Sequence, residues 1–211
     1  WQVDGGPSGL YLRSRPEIFD DGVRRVTVIG QEDGKSDVEE SWLVFSRQVM
    51  DATSSPMGDI EIAFSLDVGE DDTFWSIKPI RNSPLVVYFP TILETNLGVL
   101  MQGPYITTPS RYNVLRSHPW NQHLVRETAT LLIEALRWLR DYELLDVTSL
   151  YCLPLDGAKL SEDNMFAPLY DILPDALKSE ALLPRFGGGY ACANQSRLAR
   201  TQELRELFSP Q

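Results

Sequence analysis

Residues 89–121, FPTILETNLGVLMQGPYITTPSRYNVLRSHPWN, decide how this chain is read. The stretch begins as extended chain and passes through the polar loop TTPSRYN, residues 107–113, which carries one arginine, Arg111. It then enters the longest helical pattern in the sequence. Ser117 is expected to cap that helix, and Pro119 suits its first turn, where a missing N–H leaves no bond unmade. From there Trp120, Leu124, Leu131, Ala135, Trp138 and Tyr142 recur at helical spacing, and Val125, Leu132, Leu136 and Leu139 widen the stripe. A stripe that broad requires cover by a sheet or by other helices.

Upstream of this stretch the period is two. Residues 9–14, 24–31, 41–49, 59–67 and 73–79 read as strands, with Ile60, Ile62, Phe64 and Leu66 alternating most clearly. The run PLVVYFP, residues 84–90, is continuously apolar and is expected as a central strand buried on both faces. Residues 98–102 are expected to pair with one of these. Turn signals separate every run, so the region reads as one mostly antiparallel sheet. Downstream of the long helix, shorter helices are expected over 165–173 and 195–208. The fold class is therefore α+β, with a β-rich part over 1–106 and a helical part over 107–211. The sheet-to-helix boundary falls near 103–111, and the two parts read as one integrated unit.

Composition narrows the function. A chain of 211 residues with 43% hydrophobic and 23% charged residues has the make-up of a folded globular protein. Its formal net charge of -11 argues against a surface built for nucleic acid or for acidic lipid, so neither is expected as a partner. The only candidate soft metal ligands are Cys152, Cys192, His118 and His123, and the two histidines stand five apart, which does not suit zinc on a helix. No metal site is expected. Cysteine usage and the lack of a signal peptide or spanning run point to a reducing, cytoplasmic setting. The chain starts at Trp1 without methionine, which suggests a segment of a longer protein.

Charge is distributed unevenly. Between Phe74 and Arg126 stand five cations, Lys78, Arg81, Arg111, Arg116 and Arg126, and one acid, Glu94. A positive window inside an acidic chain suits a surface that meets phosphate. Thr107, Thr108, Ser110 and Asn113 favour local backbone bonds and, with Pro109, stiffen the loop. The guanidinium fork of Arg111 suits phosphate oxygens, and a nearby helix N-terminus would add favourable dipoles. Other candidates fall away. The glycine run 187–189 lacks the lysine and hydroxyl of a P-loop, DGGPSG over 4–9 reads as a turn, and Asp71 and Asp72 read as a solvated acidic loop. No nucleophile–base pair stands out.

The runs SPLVVYFPT (83–91), ETNLGVLMQGPYITTPSRYNV (94–114) and WNQHLVRETATLLIEALRWLRD (120–141) resemble bacterial proteins related to sacsin, which carry an ATPase module of the GHKL class. In the chaperone branch of that class, a strand layer is followed by a short motif ending in serine–arginine–glutamate and then by a long helix. Ser110 and Arg111 are similar in order and spacing, with Tyr112 where that motif has glutamate. The resemblance implies a middle-domain fold in which Arg111 reaches the γ-phosphate held by a neighbouring GHKL module of the same protein. Ser110, Asn113 and Arg116 would join it as further phosphate contacts. The helix and glycine motifs that hold adenine and magnesium are absent, so ATP and Mg belong to the parent protein and no cofactor is expected in this segment. The competing reading is a non-catalytic interaction or dimerisation module, which meets a protein client or a second copy through a sheet edge or the C-terminal helices. Burial of Arg111 against Glu127 or Glu134 as a structural ion pair would favour that second reading.

Overall fold

Alternating apolar residues make the centre of the sheet. In β4 (Val38–Met50) and β5 (Pro56–Val68), Leu43 stands opposite Phe64 and Phe45 opposite Ile62. Their side chains therefore leave the same face of an antiparallel ladder, and all four are buried. The computed structural model describes residues 9–32, 34–69, 74–155, 164–197 and 201. Residues 4–8 of DGGPSG, Asp71, Asp72 and most of the helix expected over 195–208 lie outside these.

Around β4 and β5 the sheet extends both ways. On one side lie β3 (Val23–Glu32) and then β1 (Gly9–Arg13), while β2 (Glu17–Asp20) pairs with the other end of β3. On the other side β5 pairs with both β6 (Trp75–Lys78) and β9 (Leu100–Gln102). Next come β7 (Pro84–Val87) and, at the edge, β8 (Phe89–Glu94). The described sheet is nine-stranded, and β7–β9 is its parallel pair. This is the expected α+β class with a mostly antiparallel sheet in the first half.

One expectation fails. Residues 84–90 are not a central strand buried on both faces. The run splits at Tyr88, whose φ of 60° reverses the chain into β8, leaving Tyr88 and Phe89 exposed while Leu85 alone is fully buried. The short strand 100–102 occupies the interior position instead, bonded to β5 on one side and β7 on the other.

The apolar stripe of α1 (Pro119–Asp141) lies over β4 and β5, and α3 (Ala167–Ser179) packs beside it. Leu43, Ile62, Met101, Leu132 and Leu169 belong to one continuous core. Trp138 meets Phe45 edge-on at 5.5 Å and stacks on Tyr142 at 3.9 Å, closing the C-terminal end of α1 onto the sheet. The opposite face of the sheet is more polar and carries the Arg24–Glu61 ion pair. The α3 helix runs through Pro174, past the expected stop at residue 173, because Ala176 and Leu177 are buried in the core beyond it. Arg137 of α1 grips Glu180, just after α3, through two parallel bonds of 2.7 Å, which hold the Glu180 carboxyl below its usual range. A short helix α2 (Val147–Leu150) and a small hairpin of β10 (Leu183–Pro184) and β11 (Tyr190–Ala191) complete the described elements, with a 3-10 turn at Ala193–Gln195.

Gly98 marks a close approach of sheet and helical half. Its N–H donates to the Cys152 carbonyl at 3.0 Å, and an added Cβ would lie 2.6 Å from Cys152 Cα. The obstructing atom is backbone and cannot swing away. Gly98→Ala is therefore expected to destabilise the fold by about 1–3 kcal/mol, read as a lower urea midpoint. An unchanged midpoint would show that the two segments part without cost. Cys152 itself is fully buried, and burial together with the negative Asp146 pushes its thiol up to about 12. At pH 8 it is expected to react with a disulfide reagent only at the rate of global unfolding. Fast labelling of the native protein at this residue would contradict that packing.

Candidate functional site

The loop after β9 folds back on itself as a small hairpin. The Leu115 N–H donates to the Ile106 carbonyl at 3.1 Å, Thr107 bridges Val114, and the Thr108 N–H donates to the Asn113 carbonyl at 2.8 Å. At the tip, the Arg111 N–H donates to the Thr108 carbonyl at 2.8 Å and closes a turn with Pro109 at its second position, where a fixed φ is favoured. Arg111 itself has φ 60°, in the left-handed region that non-glycine residues seldom enter. The Thr108 hydroxyl sits 3.1 Å from that of Ser110 and donates to the Asn113 carbonyl at 3.2 Å. Local polar bonds thus stiffen the tip, as the composition of TTPSRYN suggests.

Three supports fix the hairpin to the body. The Ile92 N–H on the outer edge of β8 donates to the Tyr112 carbonyl at 2.8 Å. The Trp120 indole N–H donates to the Pro104 carbonyl at 3.0 Å. Asn121, fully buried in the first turn of α1, accepts from the Ile106 N–H at 2.7 Å and donates to the Ile106 and Leu115 carbonyls at 2.8 and 2.9 Å. Tyr105, buried just before the hairpin, lies 3.4 Å from the Thr128 hydroxyl, and burial pushes its phenol up to about 12. Sequence reasoning missed Asn121. Its signal was an amide standing at a helical position of an otherwise apolar stripe, in line with Leu124, Val125 and Leu132.

Arg111 is exposed and makes no ion pair among the described residues. Glu127 and Glu134, its possible structural partners, are instead taken by Arg47 of β4, at 3.5 and 3.1 Å. Ser110 lies beside Arg111 and is exposed, whereas Asn113 is half-buried and its side-chain oxygen accepts from the Val114 N–H at 2.9 Å. Arg116 is exposed beyond the base of the hairpin, where it borders a polar depression of about 250 Å³ with Ile92, Glu94 and Asn164. Lys78 lies on β6, and Arg126 lies on α1. The positive window is therefore spread over several elements, and only Arg111 and Arg116 belong to the loop region.

Two details depart from expectation. His118, not Ser117, caps α1: its Nδ1 accepts from the Trp120 N–H at 3.1 Å, directly before Pro119 at the first helical position. The helix N-terminus also faces the base of the hairpin through Asn121. Arg111 stands at the far end of that hairpin, at the turn, while the helix start is bonded to its base at Ile106 and Leu115.

Among the described residues no helix is long and apolar enough to cross a membrane, and no three His, Cys, Asp or Glu side chains converge as metal ligands. No family model matches the chain, and no solved structure matches it. Protein NO VEIN of Arabidopsis thaliana is 37% identical over 79 residues. Those residues make up 37% of this chain and 3% of that protein, so the chain is similar to a small part of a far longer relative.

Proposed function

We propose that this chain is the coupling segment of a sacsin-like ATPase of the GHKL class, and that Arg111 serves the γ-phosphate of ATP held by a neighbouring module. The observation that carries this reading is the state of Arg111: exposed, outside any described ion pair, and displayed at the tip of a hairpin braced from β8 and α1. By contrast Arg24, Arg47, Arg137 and Arg140 are committed to carboxylates. A stiff mount matters because an arginine that must be ordered during the reaction gives back part of its stabilisation as entropy. The segment binds neither adenine nor magnesium in this reading; the neighbouring module supplies both. Closure of that module brings the γ-phosphate to the hairpin, and the guanidinium donates to oxygens on which charge grows during transfer to water. Arg116 lies within the same region and adds positive potential, and Ser110 stands next to Arg111 at the tip. Asn113 contributes by holding the turn, since its side chain is already used there. ATP turnover and ATP affinity of the Arg111→Ala parent protein test the reading.

A further inference from the structure

The hairpin is bordered by large apolar side chains that stay exposed among the described residues. Ile92 is 70% and Tyr112 69% exposed, and the backbone bond between them places them side by side. Tyr88, in the turn before β8, and Phe89, its first residue, are 84% and 76% exposed. Single exposed apolar residues are ordinary, but four of this size along one edge strand and its adjoining loop mark an interaction surface. Tyr88 and Arg111 both adopt left-handed backbone without being glycine, so the two reversals that project these side chains are held against a local cost.

The edge itself cannot be what a partner reads at this point. The Ile92 N–H is already bonded to the hairpin, so strand addition is closed there and recognition falls to side chains. Charge then selects the partner. Arg111 and Arg116 are exposed and outside any described ion pair, two cations against one nearby acid, Glu94, which accepts from the Ser83 N–H at 2.9 Å. The two cations bring positive charge to this edge of a chain whose net charge is -11. We propose that Tyr88, Phe89, Ile92 and Tyr112, flanked by Arg111 and Arg116, dock an acidic protein segment that carries apolar side chains. The surface takes such a segment whether or not Arg111 also meets a phosphate.

Fluorescence anisotropy with the 211-residue chain tests this, using a labelled peptide that alternates glutamate with leucine and phenylalanine, beside its lysine-for-glutamate counterpart. The acidic peptide is expected to bind at least about tenfold more tightly, and added salt to weaken it. The double variant Ile92→Ser/Tyr112→Ser is expected to lose about tenfold or more, since buried apolar anchors dominate such contacts. Arg116→Glu is expected to weaken the acidic peptide and reverse the salt dependence. Both variants alter exposed side chains, and an unchanged thermal midpoint confirms that they are folded. Equal binding of the two peptides, no binding, or full binding by the folded double variant overturns the proposal. So does a dimer of the wild type that the double variant abolishes, which would assign the surface to a second copy. ATP turnover by the same double variant separates this surface from the role of Arg111, because its guanidinium is untouched.

Discussion

Arg111→Ala, in a protein that carries this segment beside its nucleotide module, is expected to lower ATP turnover by about 10³-fold while ATP affinity changes little. The asymmetry follows from where the contact is made. ATP is held by the neighbouring module, and Arg111 meets it only after closure, so its bonds strengthen as charge develops on the γ-phosphate. An interaction realised only then appears in turnover and leaves ground-state binding intact. The backbone at this position permits a clean control. Arg111 sits at φ 60°, a conformation that alanine shares at the same cost and glycine adopts freely. Arg111→Ala and Arg111→Gly therefore differ in loop strain but agree in lacking the guanidinium. Similar losses in both place the effect in the side chain, whereas activity in the glycine variant would place it in loop geometry. Arg111→Lys keeps the charge but not the planar fork and is expected to recover only a small part of the rate. Wild-type turnover in the alanine variant, or a loss wholly in ATP affinity, would sink the coupling role.

How much of this was legible beforehand differs by element. The strands β3, β4 and β5 and the helix α1 each span at least ten residues, long enough for period two or 3.6 to show. By contrast β2, β10 and β11 have four residues or fewer and were not anticipated, while the equally short β6 and β9 fell inside the longer runs 73–79 and 98–102. PLVVYFP misled because apolarity records burial averaged over a run and not the chain reversal at Tyr88. The run past Pro174 was hidden for another reason: a missing helical bond is local, whereas the burial of Ala176 and Leu177 that offsets it is tertiary. At the candidate site Arg111 could be named from residue type and order. Its exposure could not, since that depended on Arg47 reaching Glu127 and Glu134 from a strand about 80 residues earlier in the chain.

Asn121 gives the second large expected effect, because it converts the helix start into the foundation of the hairpin. Asn121→Ala is expected to cost about 1–3 kcal/mol in stability, read from urea unfolding of the chain. The bonds lost are not equivalent. The Ile106 carbonyl keeps the Leu115 N–H, and the Leu115 carbonyl keeps the His118 N–H at 3.1 Å. The Ile106 N–H loses its described partner, and although Ile106 is 38% exposed, the bond lies against the fully buried Asn121 and its loss carries most of the cost. Asn121→Asp sharpens the test. It preserves the acceptor for Ile106 but turns a carboxylate toward two carbonyl oxygens at a fully buried side-chain position, so the ionised form is disfavoured and its folded pKa rises. A raised carboxyl pKa means that stability is lost as pH increases through the unfolded value and beyond, so this variant is expected to be worse than alanine at neutral pH and to recover in acid. In the parent protein, at temperatures where both variants stay folded, a loosened hairpin is expected to lower turnover while ATP affinity holds. A stability loss below about 1 kcal/mol for Asn121→Ala would mean that water replaces the amide, and that the hairpin stands on β8 and Trp120 alone.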